Sequence, residues 1–160
     1  MTHVYTKEQT FEAIARKAIK EYDPSLLDEA KAIPIEDMVE RLYGLTIEYH
    51  YIRKNGRILG ETIFDDTWVP VYDMDNKEYT CIFVKRGTVI IDASLLCSRK
   101  NGRLRFTCAH ELAHWIIHYD KFSGSDRTAA MILKPKKSTE EDAAIERQAD
   151  MLGTACKQAV

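Results

Sequence analysis

The sequence predicts an α+β protein in which helices flank a small, mainly antiparallel sheet. Apolar residues recur at helical spacing over residues 11–22, β-forming residues alternate over residues 46–92, and helical spacing returns after residue 101. A chain of 160 residues suits one hydrophobic core. We therefore expect a single domain over residues 1–160.

Composition limits the classes of function. The chain is 45% hydrophobic and 30% charged, and its net charge of −2 gives no general attraction for nucleic acid or membrane surfaces. No apolar run approaches a bilayer span, and the N-terminus lacks the apolar core of a signal peptide. We expect a cytoplasmic protein with no direct nucleic-acid or membrane partner. The four cysteines form no C-x-x-C pair, so we expect small core residues.

The N-terminal part predicts helical packing scaffold. A capping box at Thr6 opens a helix that runs to Tyr22. A short helical turn over residues 25–32 and a helix over residues 35–43 follow, with Gly44 as the stop signal of the second.

The middle of the chain predicts the sheet. Residues 54–57, Lys-Asn-Gly-Arg, are a strong hairpin signal between the first two strand-like segments. We therefore expect a meander of antiparallel strands. The segments cover residues 46–53, 57–64, 67–72, 79–85 and 88–92.

The most informative stretch is a helix predicted from about residue 101 to residue 119, which contains His-Glu-x-x-His at residues 110–114. Its two histidines lie on one helical face, roughly 6 Å apart along the axis. This spacing lets both imidazoles bind one metal ion, with Glu111 beside the open coordination position. A carboxylate there can take a proton from a zinc-activated water and pass it to a leaving amine. The pattern predicts a Zn²⁺ site with His110 and His114 as ligands and Glu111 as the catalytic base.

A catalytic zinc site needs a third protein ligand. His118 is roughly 12 Å from His110 along a straight helix, so the two cannot share an ion. We expect His118 to have a structural role or to support a ligand, with contact to substrate as a lesser alternative. The extended pattern H-E-x-x-H-x-x-G-x-x-H fails, because Ile117 and Asp120 replace its glycine and last histidine. Asp120 is therefore a less favoured alternative.

The last helix, predicted from Ser138 to about residue 157, carries other acids. Those at residues 140–142 belong to its first turn, where they suit the helix dipole. Glu146 lies mid-helix among alanines that permit close helix packing, so we expect it to be the third ligand. Asp150 lies one turn later on the same face, where it can orient a ligand histidine through the free ring nitrogen.

Two motif blocks carry a family resemblance. Residues 103–114, Arg-Leu-Arg-Phe-Thr-Cys-Ala-His-Glu-Leu-Ala-His, are followed by His118, and residues 146–150 read Glu-Arg-Gln-Ala-Asp. These blocks resemble the Arg-Phe-Thr-x-Ala-His-Glu-Leu-Gly-His and Glu-x-x-Ala-Asn/Asp motifs of the ImmA/IrrE family of zinc metallopeptidases. Residues 33–44 resemble that family's entry into the sheet more weakly, so the likeness covers about residues 30–155.

The resemblance implies a zincin-like metallopeptidase domain with zinc held by His110, His114 and Glu146, and with Glu111 as general base and acid. Family members are typically encoded on mobile elements or near stress regulons. Some cleave a helix-turn-helix repressor and so relieve repression, which implies a protein substrate of that class here.

The residues leave alternatives open. One is a non-catalytic regulatory module, in which zinc stabilises the fold and the protein binds a transcription regulator. Another is a zinc hydrolase with a non-peptide substrate. The intact Glu111 favours an enzyme, because a structural zinc site needs no base. Residues 119–137 have an irregular pattern that fits either a lid or disorder.

Overall fold

In the computed structural model, helices pack on one face of a three-stranded sheet and a β-hairpin packs on the other. The structure describes residues 8–29, 31–97, 102–122 and 140–158. The helices are α1 (Glu8–Tyr22), α2 (Ile35–Arg41), α3 (Gly102–Phe122) and α4 (Glu140–Gln158). The strands are β1 (Thr46–His50), β2 (Gly60–Ile63), β3 (Thr67–Asp73), β4 (Glu78–Val84) and β5 (Thr88–Asp92). The predicted α+β class is confirmed.

The N-terminal helices form near the positions that the sequence predicts, although the helical turn ends at Leu27 and α2 ends at Arg41, both earlier than predicted. The buried residues of α1 recur at helical spacing, and its end at Tyr22 is followed by a 3₁₀ turn over Pro24–Leu27. The Asp23 side chain caps that turn by accepting a hydrogen bond from the Ser25 backbone N–H at 3.0 Å. Gly44 has a φ of +65° between α2 and β1, a conformation that residues with a Cβ rarely adopt.

The strand order corrects the predicted meander. β5 is the central strand of the three-stranded sheet, with β1 parallel on one side and β2 antiparallel on the other. β3 and β4 form a separate antiparallel hairpin. Two of the three strand pairings are antiparallel, but the hairpin that we predicted between the first two strands is wrong, because β5 lies between them.

The predicted hairpin does not form because the buried strand β5 takes the position between β1 and β2. The turn itself exists, since Gly56 has a φ of +65° and its N–H donates to the Arg53 carbonyl at 3.1 Å. All five residues of β5 are buried, however, as is typical of a central strand covered on both faces. The central position removes these side chains from water, whereas β1 is mostly half-buried or exposed.

Side-chain alternation along β5 divides the core into two clusters. Val89 and Ile91 pack with the helices, whereas Ile90 packs with the hairpin and with Ile63 of β2. The sheet is therefore the middle layer of three, and α3 lies directly against its helical face.

The outer face of the hairpin exposes two large aromatic side chains. Trp68 and Phe83 are 63% and 51% exposed and contact each other edge to face, with ring centroids 5.6 Å apart. Cys81 of β4 and Cys97 are exposed, so the prediction that all four cysteines are core residues is wrong for these two. None of the helices in the described part of the chain is long and apolar enough to cross a bilayer.

Candidate metal centre

The helix α3 is held between the sheet and α4 by its apolar residues. Cys108, Ala109, Leu112 and Ala113 are at most 1% exposed and pack into the helical core. These buried positions alternate with the polar residues of the His-Glu-x-x-His pattern, which fixes the direction in which each polar side chain leaves the helix. The helix is also longer than predicted, since it extends to Phe122.

The helix α4 approaches α3 closely because small residues lie between them. Ala149 is fully buried, and a Cβ added at Gly153 would lie 3.1 Å from the His110 backbone N and 3.2 Å from the Ala109 carbonyl carbon. A side chain there would push the helices apart. The close approach brings the acids of α4 within reach of the histidines of α3.

Three side chains meet at this helix pair. His110 Nε2 lies 2.9 Å from Glu146 Oε2 and 3.1 Å from His114 Nε2, and His114 Nε2 lies 3.4 Å from Glu146 Oε1. Ligands bound to zinc at 2.0–2.1 Å in a tetrahedron are about 3.3 Å apart. With one ligand atom taken from each residue, these atoms all lie within 4.8 Å of one another, so the three residues can together hold a metal ion.

The electrostatics of this cluster favour a cation. Burial lowers the pKa of His110, but Glu146, Glu111 and Asp150 outweigh this effect and raise the pKa to about 9. Burial raises the pKa of Glu146, and the hydrogen bonds and charges of His110 and His114 outweigh that effect and hold the pKa well below its usual range. The pocket therefore keeps Glu146 ionised and can take a positive charge in place of the His110 proton.

Glu111 lies at the contact between α3 and β2. Its carboxylate is buried, and Thr62 Oγ1 lies 2.7 Å from Oε2, where the hydroxyl can donate to it. A Cβ added at Gly60 would lie 2.8 Å from Glu111 Cγ and 2.9 Å from Oε1. Thr62 therefore holds the Glu111 carboxylate by a hydrogen bond, and the absence of a side chain at Gly60 leaves the space that Glu111 occupies.

The remaining nitrogens of the two histidines also have partners. His110 Nδ1 lies 2.7 Å from Asp150 Oδ1, and His114 Nδ1 lies 3.0 Å from His118 Nδ1. His118 is 5% exposed, and its Nε2 lies 2.9 Å from Gln148 Oε1. Asp150 and His118 thus each touch one histidine, on the nitrogen that faces away from the other two residues of the cluster.

Sequence reasoning found some of these residues and missed others. The structure brings together His110, His114 and Glu146, the three predicted ligands, with Glu111 close enough to act on His110. Sequence patterns did not indicate Gly60, Thr62 or Gln148. Glycine, threonine and glutamine have no metal-ligand or base signature, and only the fold brings them to this site. The segment predicted to be irregular covers residues 119–137, and its first four residues belong to α3 instead. The rest of that segment, the cap at Ser138 and the side chains at 120 and 140–142 lie outside the described residues.

Comparison with known proteins adds no identification, since no family model, curated protein or solved structure matches this chain.

Proposed function

We propose that this protein is a zinc-dependent endopeptidase of zincin-like fold that hydrolyses a peptide bond in a protein partner. The proposal is carried by one juxtaposition. The side chains of His110, His114 and Glu146 lie within 3.4 Å of one another. The buried carboxylate of Glu111 belongs to the residue that follows His110 on α3. A structural zinc site needs no such base.

The donor set supports zinc as the metal. Two histidines and a glutamate are a ligand combination of catalytic zinc sites, which keep a fourth position open for water or substrate. Bound zinc would polarise the substrate carbonyl and make a water more acidic. His110, His114 and Glu146 would hold the ion, and the short contacts among them support that fit.

Glu111 would transfer the proton. As the water oxygen attacks the carbonyl carbon, a Glu111 oxygen accepts the water's proton and then donates it to the amine nitrogen as the C–N bond breaks. Its Oε2 atom accepts a hydrogen bond from Thr62, and its Oε1 atom lies beside Gly60. Fixing the carboxylate in this way reduces the reorganisation needed at the moment of proton transfer.

The substrate would bind as an added strand on β2. The Asp92 N–H donates to the Leu59 carbonyl, and the register pairs Glu61 with Ile90, so the backbone groups of Gly60 and Thr62 point away from β5. No described strand pairs with that edge of β2. An extended peptide there would place its carbonyls next to Glu111 through backbone hydrogen bonds alone.

The partner that we propose is a helix-turn-helix transcriptional repressor in the cytoplasm, whose cleavage would relieve repression. This part of the proposal is supported by the resemblance of residues 103–114 and 146–150 to ImmA/IrrE metallopeptidases.

The decisive experiment replaces Glu111 with Gln and measures zinc content and cleavage of a repressor that this protein acts on. We expect the Glu111→Gln variant to retain zinc, because Glu111 is not a ligand, and to lose at least 100-fold in cleavage rate, the usual size of a general-base contribution. Glu12→Gln, an exposed position on α1, is the matched control and should keep full activity.

Two results would reject the peptidase. Unchanged cleavage by Glu111→Gln would remove the proposed base. Relief of repression by that variant without any cleavage would instead identify a zinc-stabilised binding module.

A further inference from the structure

A line of polar groups runs from α4 through α3 to the metal centre. Gln148 Oε1 lies 2.9 Å from His118 Nε2, His118 Nδ1 lies 3.0 Å from His114 Nδ1, and His114 Nε2 faces Glu146 and His110. His118 and His114 are 5% and 7% exposed. Water therefore has little access to replace these contacts.

The donor and acceptor roles of these groups determine which ring nitrogens carry hydrogen. The structure places the Gln148 amide oxygen, which only accepts hydrogen bonds, at His118 Nε2, so in this arrangement Nε2 carries the hydrogen. In neutral imidazole the other nitrogen is then an acceptor, so the bond between the two Nδ1 atoms requires the hydrogen to be on His114. His114 Nε2 is left with a free lone pair, which is the form in which a histidine binds a metal ion through that nitrogen.

The His110 side is consistent with this assignment. His110 Nδ1 and Nε2 both face carboxylate oxygens, at 2.7 Å from Asp150 and 2.9 Å from Glu146, so both can donate. His110 Nε2 also lies 3.1 Å from His114 Nε2. An N–H on His110 can point at a lone pair on His114 Nε2, whereas N–H groups on both nitrogens would repel each other.

We propose that Gln148 is a positioning residue, which acts through His118 to fix His114 in the tautomer that binds the metal. The inference rests on the proposed metal centre but not on the peptidase chemistry. An acceptor at residue 148 sets the hydrogen on His118 Nε2, and a donor there would reverse every bond in the line and place a hydrogen on His114 Nε2.

The test compares two variants at one partly buried position of α4. Gln148→Leu removes polarity, and Gln148→Lys supplies only donors. Thr154→Lys adds the same positive charge at an exposed position of α4 and controls for long-range repulsion of the metal.

The first measurement is ring ¹⁵N NMR of the metal-free protein, which distinguishes a nitrogen that carries hydrogen from one with a free lone pair. We expect wild type to carry hydrogen on His114 Nδ1, and Gln148→Lys to carry it on Nε2. The second is zinc affinity by chelator competition. We expect Gln148→Lys and Gln148→Leu to bind about 10–100-fold more weakly, as for other groups that orient ligand histidines. Thr154→Lys should stay within about threefold of wild type, because the acceptor and the line are intact.

Hydrogen on His114 Nε2 in wild type would overturn the proposal without any variant, so a variant that fails to fold does not leave it undecided. An unchanged tautomer and zinc affinity in Gln148→Lys would also overturn it. The two proposals fail separately, since an inactive but zinc-loaded wild type would reject the peptidase while leaving the tautomer result intact.

Discussion

His110 and His114 lie one turn apart on α3, but the two sides of the metal centre support them in opposite ways. Asp150 and Glu146, both half-buried or exposed on α4, hold His110 with negative charge. His114 also faces Glu146, but its Nδ1 atom lies against His118, which in turn contacts Gln148, in a more buried setting. The first side stabilises a positive charge before the metal binds, and the second fixes the position of a single hydrogen.

The geometry of α4 explains how one helix supplies both sides. Ile145, Ala149 and Leu152 form its buried stripe against the rest of the protein. Positions 146 and 150 are one turn apart on one flank of that stripe, and position 148 lies on the other flank. Each flank therefore reaches a different turn of α3.

Replacing Glu146 by Gln should have the largest effect, because it removes a proposed ligand and the charge that faces both histidines. We expect zinc affinity to fall by more than the roughly 100-fold upper value for residues that only orient a ligand. Chelator competition measures the affinity, and Glu40→Gln, an exposed position on α2, is the matched control. Affinity within tenfold of wild type would mean that the third ligand is another residue.

The charged side of the centre predicts proton release on zinc binding. The pKa of His110 is raised to about 9, so His110 carries a proton at pH 7.5 that must leave before Nε2 can bind the metal. Below pH 9, each unit of increase in pH should therefore strengthen binding about tenfold until His110 is deprotonated. Calorimetry in two buffers of different ionisation enthalpy should find about one proton released at pH 7.5.

Asp150→Asn sharpens this comparison. It removes one of the carboxylates that raise the His110 pKa, so affinity should stop rising at a lower pH than in wild type. No proton release in wild type would contradict the assignment of a charged His110.

Features of the fold and the site that depend on residues close together in the sequence could be predicted, whereas those that depend on residues far apart could not. The His-Glu-x-x-His spacing and the relation between Glu146 and Asp150 are local to one helix, so helical periodicity is enough to propose them. The central position of β5 depends on which strand gains most from burial on both faces, and the local turn at Gly56 favoured the wrong pairing. Thr62 contacts Glu111, which is 49 residues away in the sequence, and no local sequence pattern predicts that contact.

The smallest expected effect concerns the contact that holds the two helices together. Gly153→Ala introduces a Cβ at 3.1 Å from the His110 backbone N and 3.2 Å from the Ala109 carbonyl carbon, both of which belong to the rigid backbone of α3. Overpacking of this kind costs about 1–3 kcal/mol, whereas alanine in a helix interior gains about 1 kcal/mol over glycine. Overpacking wins, so we expect a net loss of up to about 2 kcal/mol in the free energy of unfolding of the metal-free protein, measured by denaturant titration.

The same substitution separates the two sides of the centre. The new methyl presses on the backbone of His110, so zinc affinity should fall slightly while the ring ¹⁵N signature of His114, which depends on Gln148 and His118, stays as in wild type. Thr154→Ala, at the next and exposed position of α4, controls for helix propensity and should not destabilise the protein. A protein stabilised by Gly153→Ala would show that helix propensity dominates and that the helices have room to separate. In that case the short distances between the acids of α4 and the histidines of α3 could not be attributed to close packing at Gly153.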